Sequence, residues 1–336
     1  MPEIFLTLPP EERSEILANF AFESGTTAGI LEKDVWVCWC LETLFKIPDR
    51  KTMAFKGGTS LSKVYNAISR FSEDVDVTVD HRALNPNINP FDASLSTNQK
   101  KRNIEELKKA VGEYVIGFVA PYFQAEVSAQ FPDQDITVEV VKVGEELHVI
   151  YPSALSSSNP YLKELVRVEF GGRNITDPKK RHKIVPTLAE FVPTFHFPTA
   201  WVDVLSGERT FWEKATLAHV ECNKPSVRNA ERLSRHWYDL FILADHKIGR
   251  AAVRNSALLQ DVIKYKKVFF SSATANYDDC ASGSLKLLPS AEGIASLRAD
   301  YEAMVGAGMI YGLTPGFDEI MERLAILETE INSRPS

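Results

Sequence analysis

Two aspartates separated by one residue, behind a paired-glycine turn, are the side chains of this chain best placed for chemistry. Asp74-Val75-Asp76-Val77-Thr78-Val79-Asp80 alternates polar and β-branched residues with a period of two, which predicts a strand with one buried face. Residues 74, 76, 78 and 80 share its polar face, so the carboxylates of Asp74 and Asp76 leave one side about 7 Å apart. Acids so placed repel each other unless a cation lies between them, and hard oxygen donors suit Mg2+, with Mn2+ as the alternative. Upstream, Thr52-Met53-Ala54-Phe55 runs into Lys56-Gly57-Gly58-Thr59-Ser60 and then the helical spacing of Leu61, Val64, Tyr65 and Ile68. That reads as strand, glycine turn and helix. Paired glycines let the backbone approach a ligand closely, and the outward first-turn amides suit a phosphate. Thr59 and Ser60 add hydroxyls where a triphosphate tail would lie, and Lys63 adds charge one turn on. A Mg2+ ion shared by Asp74, Asp76 and phosphate oxygens would orient the α-phosphate and stabilise the leaving pyrophosphate. A lone Asp-x-Asp is common on solvated edge strands; the glycine turn ahead of it favours the metal reading.

The rest of the chain must position these groups. It has 336 residues, 44% hydrophobic and 25% charged, a composition that excludes disordered and fibrous classes, and its length fits two domains. Lys plus Arg is 38 against 45 Asp plus Glu, a net charge of -7, which argues against a protein that coats nucleic acid non-specifically. No apolar run reaches the length of a membrane span and Met1 to Arg13 does not resemble a leader, so a cytoplasmic protein with no membrane partner is expected. Cys38, Cys40, Cys222 and Cys280 form no C-x-x-C pair, and Cys38 and Cys40, on different faces at helical pitch, read as small buried hydrophobes.

Apolar spacing predicts helices over 10–24 and 29–46, and a charged helix from about 98 to 120. Strands are expected at 136–142, 146–151 and 163–170, with Ser156-Ser157-Ser158-Asn159-Pro160 as a turn between the last two. Helices follow at 208–222, 228–246, 251–268, 291–306 and 315–333. The expected architecture is an α/β unit to about residue 200 and then an all-helical domain.

Gly57-Gly58-Thr59-Ser60 followed by Arg70-Phe71-Ser72-Glu73-Asp74-Val75-Asp76 resembles the signature of the polymerase-β-type nucleotidyltransferases, in particular the AbiEii/AbiGii toxin family, which includes the MenT toxins. Similarity continues through Leu31-Glu32-Lys33-Asp34-Val35-Trp36, Phe211-Trp212-Glu213-Lys214, His236-Trp237-Tyr238-Asp239-Leu240, Ala275-Asn276-Tyr277-Asp278 and Asp300-Tyr301-Glu302-Ala303-Met304. One departure is the fourteen residues between Thr59 and Asp74, more than is usual in the wider superfamily, read here as an extra turn of helix.

The resemblance implies an α/β (α+β) nucleotidyltransferase-fold domain with a mixed sheet over 1–200, and a helical domain over 201–336 that contributes to the active site. It also implies a third carboxylate on a neighbouring strand. Leu165, Arg167 and Glu169 share one strand face, which makes Glu169 the candidate; Glu139 competes on identical logic. The resemblance places a motif lysine at Lys214 and a motif aspartate at Asp239, and an aspartate in so apolar a helix fits a Lys214 contact reaching the triphosphate. Gly57, Gly58, Thr59, Ser60, Lys63 and Arg70 form the implied nucleotide-binding set, with Asp74, Asp76 and Glu169 on the metal. His219 and His236 read as packed or exposed rather than as bases. Arg173, Lys179, Lys180, Arg181 and Lys183 form the densest basic run, read as steering a polyanionic acceptor toward the metals, with a solvated loop as the alternative. Lys264, Lys266 and Lys267 beside Tyr265 continue it less clearly.

The expected activity is therefore transfer of a nucleoside monophosphate from an NTP to an acceptor hydroxyl. The resemblance further implies a toxin of a toxin–antitoxin, abortive-infection system acting in phage defence. Its implied acceptor is the 3′ end of tRNA, and its cognate antitoxin would be encoded nearby. A small-molecule or protein nucleotidyltransferase, and a nucleotide-binding module without turnover, stand as the alternatives.

Overall fold

A computed structural model of the chain describes residues 2–156, 162–224, 231–312 and 314–333. Residues 157–160 of the expected turn and 228–230 of the expected helix start lie outside the described residues. The chain forms two compact units: a sheet unit of 1–64 with 71–205, and a helical unit of 65–70 with 206–336.

The sheet unit carries β1 (Met53–Lys56), β2 (Asp74–Asp80), β3 (Thr137–Val141), β4 (Glu146–Ile150), β5 (Leu165–Asn174), β6 (Lys179–Ile184) and β7 (Ala200–Leu205). Its helices are α1 (Pro10–Glu23), α2 (Ala28–Lys46), α3 (Gly57–Lys63), α4 (His81–Leu84), α5 (Thr97–Tyr114) and α6 (Ala120–Gln130), the last two joined by a π-turn at Val115–Val119. The strands form one mixed sheet in the order β3-β4-β5-β2-β1-β7-β6. β2 and β1 run parallel to β5 and β7 respectively, and the remaining neighbours are antiparallel. The mixed sheet that the sequence leads one to expect is present.

Alternation along the strands divides the sheet into two faces. Val75, Val77 and Val79 of β2, Met53 and Phe55 of β1, Val166 and Val168 of β5 and Val202 and Val204 of β7 are all buried. Helices pack on that face. A side chain at Gly172 would stand 2.2 Å from Val111 of α5, so only glycine lets this helix approach so closely. Trp36 of α2 stacks on Tyr151 at 4.9 Å between centroids. Each such side chain contributes about 1.5–3 kcal/mol through burial. Cys38 and Cys40 are buried in α2 as expected, and all four cysteines are free.

Two local expectations are corrected. The helix after the glycine turn ends at Lys63; residues 65–70 are not an extra helical turn but belong to the helical unit. There Ala67 and Ile68 are buried, so their apolar spacing reflects tertiary burial rather than a helix face. The basic run is not a loop: β5 extends through Arg173, and Lys179–Ile184 is the edge strand β6.

The helical unit contains α7 (Gly207–Cys222), α8 (Ser234–Asp245), α9 (Lys247–Arg254), α10 (Ser256–Phe269), α11 (Tyr277–Ala281), α12 (Ala291–Gly306) and α13 (Phe317–Asn332). The helix expected over 251–268 is two helices broken at Asn255, whose side chain accepts from the Leu258 amide and caps the second. Among the described residues no helix is long and apolar enough to cross a membrane.

Candidate active site

The glycine turn and the aspartate pair meet through strand register. Lys56, the residue before the turn, lies opposite Asp76. Gly57 takes φ +80, and a Cβ there would stand 2.0 Å from Oδ2 of Asp76, so the turn closes onto that carboxylate and leaves room for nothing larger than glycine. Thr59 is buried, and its hydroxyl donates to the carbonyls of Ser72 (3.1 Å) and Asp74, tying α3 to the start of β2. Ser60 donates to the Gly57 carbonyl at 2.9 Å. Both hydroxyls thus hold backbone in place.

On the other side of β2, Asp74 pairs in register with Arg167 and Asp76 with Glu169. Parallel register partners project from the same face, so Asp74, Asp76, Arg167 and Glu169 share it. Glu139 lies on β3, separated from β2 by β4 and β5. Arg167 Nη1 stands 3.7 Å from Asp74 Oδ1 and 3.7 Å from Glu169 Oε1, and its Nε stands 3.9 Å from Glu146 Oε2. Burial raises the Glu169 carboxyl to about 7, and repulsion from Asp76, Asp74 and Glu146 adds to the shift against the pull of Arg167. Glu146, directly opposite Glu169 on β4, is buried; burial raises its pKa, but Lys142 and His148 outweigh that and hold it below its usual value.

Asp74, Asp76, Glu146 and Glu169 thus gather hard oxygen donors beside Arg167, Lys142 and His148. Such a donor set fits a divalent cation. Among the described residues no three His, Cys, Asp or Glu side chains close round one point tightly enough to hold a metal ion as they stand.

Helix α2 braces both ends of the signature with three consecutive buried charges, Glu32, Lys33 and Asp34. Lys33 Nζ pairs with Glu73, the residue before Asp74, at 2.6 Å and donates to the Lys163 carbonyl at 2.9 Å. Asp34 pairs with Lys63 at 2.5 Å and accepts from the Thr187 amide at 2.8 Å. Burial disfavours the Lys63 charge, but Asp34 outweighs it and the pKa lies above its usual value. Lys63, expected on a phosphate, is therefore held by α2. Glu32 accepts from the Ser153 hydroxyl and the Ala154 amide.

In the helical unit a separate cluster forms around Asp239, which is fully buried on α8. Arg70 grips it with two hydrogen bonds of 2.7 Å, and Lys214 of α7 pairs with it at 2.8 Å. The expected Lys214–Asp239 contact is present, and Arg70 joins it. Burial pushes the Asp239 carboxyl up, yet Arg70 and then Lys214 prevail and hold it well below the carboxylate range. Burial likewise lowers Lys214, against the pull of Asp239. His236 Nδ1 stands 3.3 Å from Lys214 Nζ, and burial followed by Lys214 and Arg235 keeps the ring neutral. Asp300 caps α8 by accepting from the amides of Arg232 (2.6 Å) and Ser234 (2.8 Å). His219 is structural, accepting from the Lys286 amide at 2.9 Å and lying 3.1 Å from the Asn276 carbonyl.

The mixed sheet thus presents an aspartate pair beside a glycine turn and a strand glutamate. A family model described as the nucleotidyl transferase AbiEii toxin of type IV toxin–antitoxin systems matches residues 39–323. The chain therefore belongs to the AbiEii nucleotidyltransferase toxin family. Seven solved chains match its structure. One is MenT4, a nucleotidyltransferase toxin from Mycobacterium tuberculosis, similar at a TM-score of 0.52 and 16% identity over 98% of this chain and 91% of that one. No curated protein sequence matches the chain significantly.

Proposed function

We propose that this toxin transfers a nucleoside monophosphate from an NTP to the 3′-terminal hydroxyl of tRNA, with Mg2+ as the cation, under the control of a cognate antitoxin. The observation that carries the reading is the β1–β2–β5 register, in which Gly57 closes onto Asp76 and Asp76 faces Glu169. Asp74, Asp76 and Glu169 would hold the cation, which when bound neutralises phosphate charge and orients the α-phosphate. Gly57 and Gly58 keep the turn open to the triphosphate, while Thr59, Ser60 and Lys63 fix the geometry of α3 around it. Glu169, in register beside Asp76, is assigned to accept the proton of the attacking hydroxyl. In the helical unit, Arg70, Lys214 and Asp239 are assigned to nucleotide handling as one hydrogen-bonded group.

The test is incubation with each α-labelled NTP, Mg2+ and total RNA. Label in a tRNA-sized band with the parent protein and none with Asp74→Ala is the expected outcome. Label on a small molecule or protein instead would replace the acceptor, and no label with any nucleotide would refute the enzyme reading.

A further inference from the structure

Trp201 on β7 is 55% exposed, whereas Trp36, Trp39, Trp212 and Trp237 are buried. One exposed indole is unremarkable, but its neighbours are not. Lys183 of β6 lies directly across the ladder from Trp201, and Arg181 lies across from Asp203. Such partners project to the same face. The Arg181 guanidinium sits 6.0 Å from the indole centroid. Arg50 reaches the same patch, with Nη2 4.0 Å from Asp203 Oδ2. Arg181 over the indole, Lys183 across the ladder and Arg50 beside Asp203 thus place three cations in the neighbourhood of the exposed ring.

Register ties this patch to the acids. Phe55 is opposite Val204 and Lys56 is opposite Asp76. Alternation therefore sets Trp201 and Asp203 on the sheet face that bears Asp74, Asp76 and Glu169. One strand spacing sideways and five residues along separate Trp201 from the glycine turn, and two spacings and four residues separate it from Asp76, roughly 17 and 16 Å respectively. Charged residues on an edge strand also deter pairing with another sheet. That role accounts for the lysines of β6 but not for an exposed tryptophan among them.

The geometry points to a base-stacking platform for the acceptor RNA: Trp201 takes the face of an unpaired base, while Arg181, Lys183 and Arg50 hold the adjoining phosphates. The inference rests on the acceptor being RNA, as proposed above. Because every other tryptophan is buried, Trp201 alone supplies the quencher-accessible emission, and stacking becomes directly visible.

The experiment titrates the full chain with a short single-stranded RNA ending in CCA, reading tryptophan emission, iodide accessibility, gel-shift affinity and transfer kinetics. RNA is expected to quench the exposed emission and to shield it from iodide. Trp201→Ala should weaken RNA binding about ten-fold and raise KM for RNA to match, with kcat and KM for NTP unchanged, and Trp201→Phe should restore most of the loss. Lys183→Ala should reduce the slope of log affinity against log salt by about 0.7. RNA that is bound and labelled with parental affinity by Trp201→Ala, or that leaves the emission unmoved, would overturn the platform while leaving the acceptor reading intact. A parent protein that neither binds nor labels any RNA would overturn both.

Discussion

Gly57→Ala is the substitution whose consequence the structure specifies most closely. The new methyl would stand 2.0 Å from Oδ2, 2.8 Å from Cγ and 3.1 Å from Cβ of Asp76, so the carboxylate must withdraw by about 1.4 Å to restore a 3.4 Å contact. The side chain also has to adopt φ +80, which costs a non-glycine residue about 1–2 kcal/mol, and the clash adds about 1–3 kcal/mol. A loss of that size leaves a domain of ordinary stability folded. Displacing a carboxylate proposed to hold the metal by an ångström should cost about a hundred-fold in rate. Gly25→Ala supplies the control, since Gly25 also has positive φ (+66) but nothing within 4 Å of the added methyl. Transfer of label from an α-labelled NTP, alongside thermal melting, should show both variants folded, Gly57→Ala slowed about a hundred-fold and Gly25→Ala at the parental rate. A Gly57→Ala protein within three-fold of the parent would refute the claim that the turn positions Asp76 for catalysis.

Asp239→Asn should destabilise the helical unit by about 3–5 kcal/mol near neutrality, because it leaves the buried Arg70 and Lys214 charges uncompensated. The folded Asp239 pKa is depressed, so its contribution is fully present above the unfolded value of about 4 and fades as the pH falls toward the folded value. Melting curves of parent and variant should therefore converge in acid; a gap independent of pH would contradict this. Lys33→Met alone should cost about 3–5 kcal/mol by removing the buried cation paired with Glu73, and adding Glu73→Gln should recover part of it. Additive losses in a denaturant-melt double-mutant cycle would show that the pair does not brace β2.

The strand Asp74–Asp80 was legible to the residue because its valines alternate along one apolar face, although Asp74, Thr78 and Asp80 on the other face are buried as well, against the expectation of a single buried face. Glu169 was legible for the same reason, through the shared parity of Leu165, Arg167 and Glu169. Strand order was not. Only the pairing of β2 with β5 and the placement of β3 two strands further out separate Glu169 from Glu139. The edge strand β6 escaped because Lys179-Lys180-Arg181-His182-Lys183 has no apolar parity, an edge needing little burial. β7 carried a signal that could have found it: Trp201 and Asp203 alternate with Val202 and Val204. The roles of Lys33 and Asp34 had no local signature, since each is defined by a partner tens of residues away, Glu73 or Lys63. Arg70 illustrates the same limit. It sits within the signature stretch, yet its guanidinium binds Asp239, 169 positions later.

Asp74, Asp76 and Glu169 are proposed to hold one divalent cation jointly beside the glycine turn. Mn2+ titration followed by electron paramagnetic resonance, with a non-hydrolysable NTP analogue present, reads that binding. Saturable Mn2+ binding by the parent, abolished in Asp76→Asn and competed by Mg2+, is expected. Undiminished binding in Asp76→Asn, or none in the parent with nucleotide bound, would contradict it.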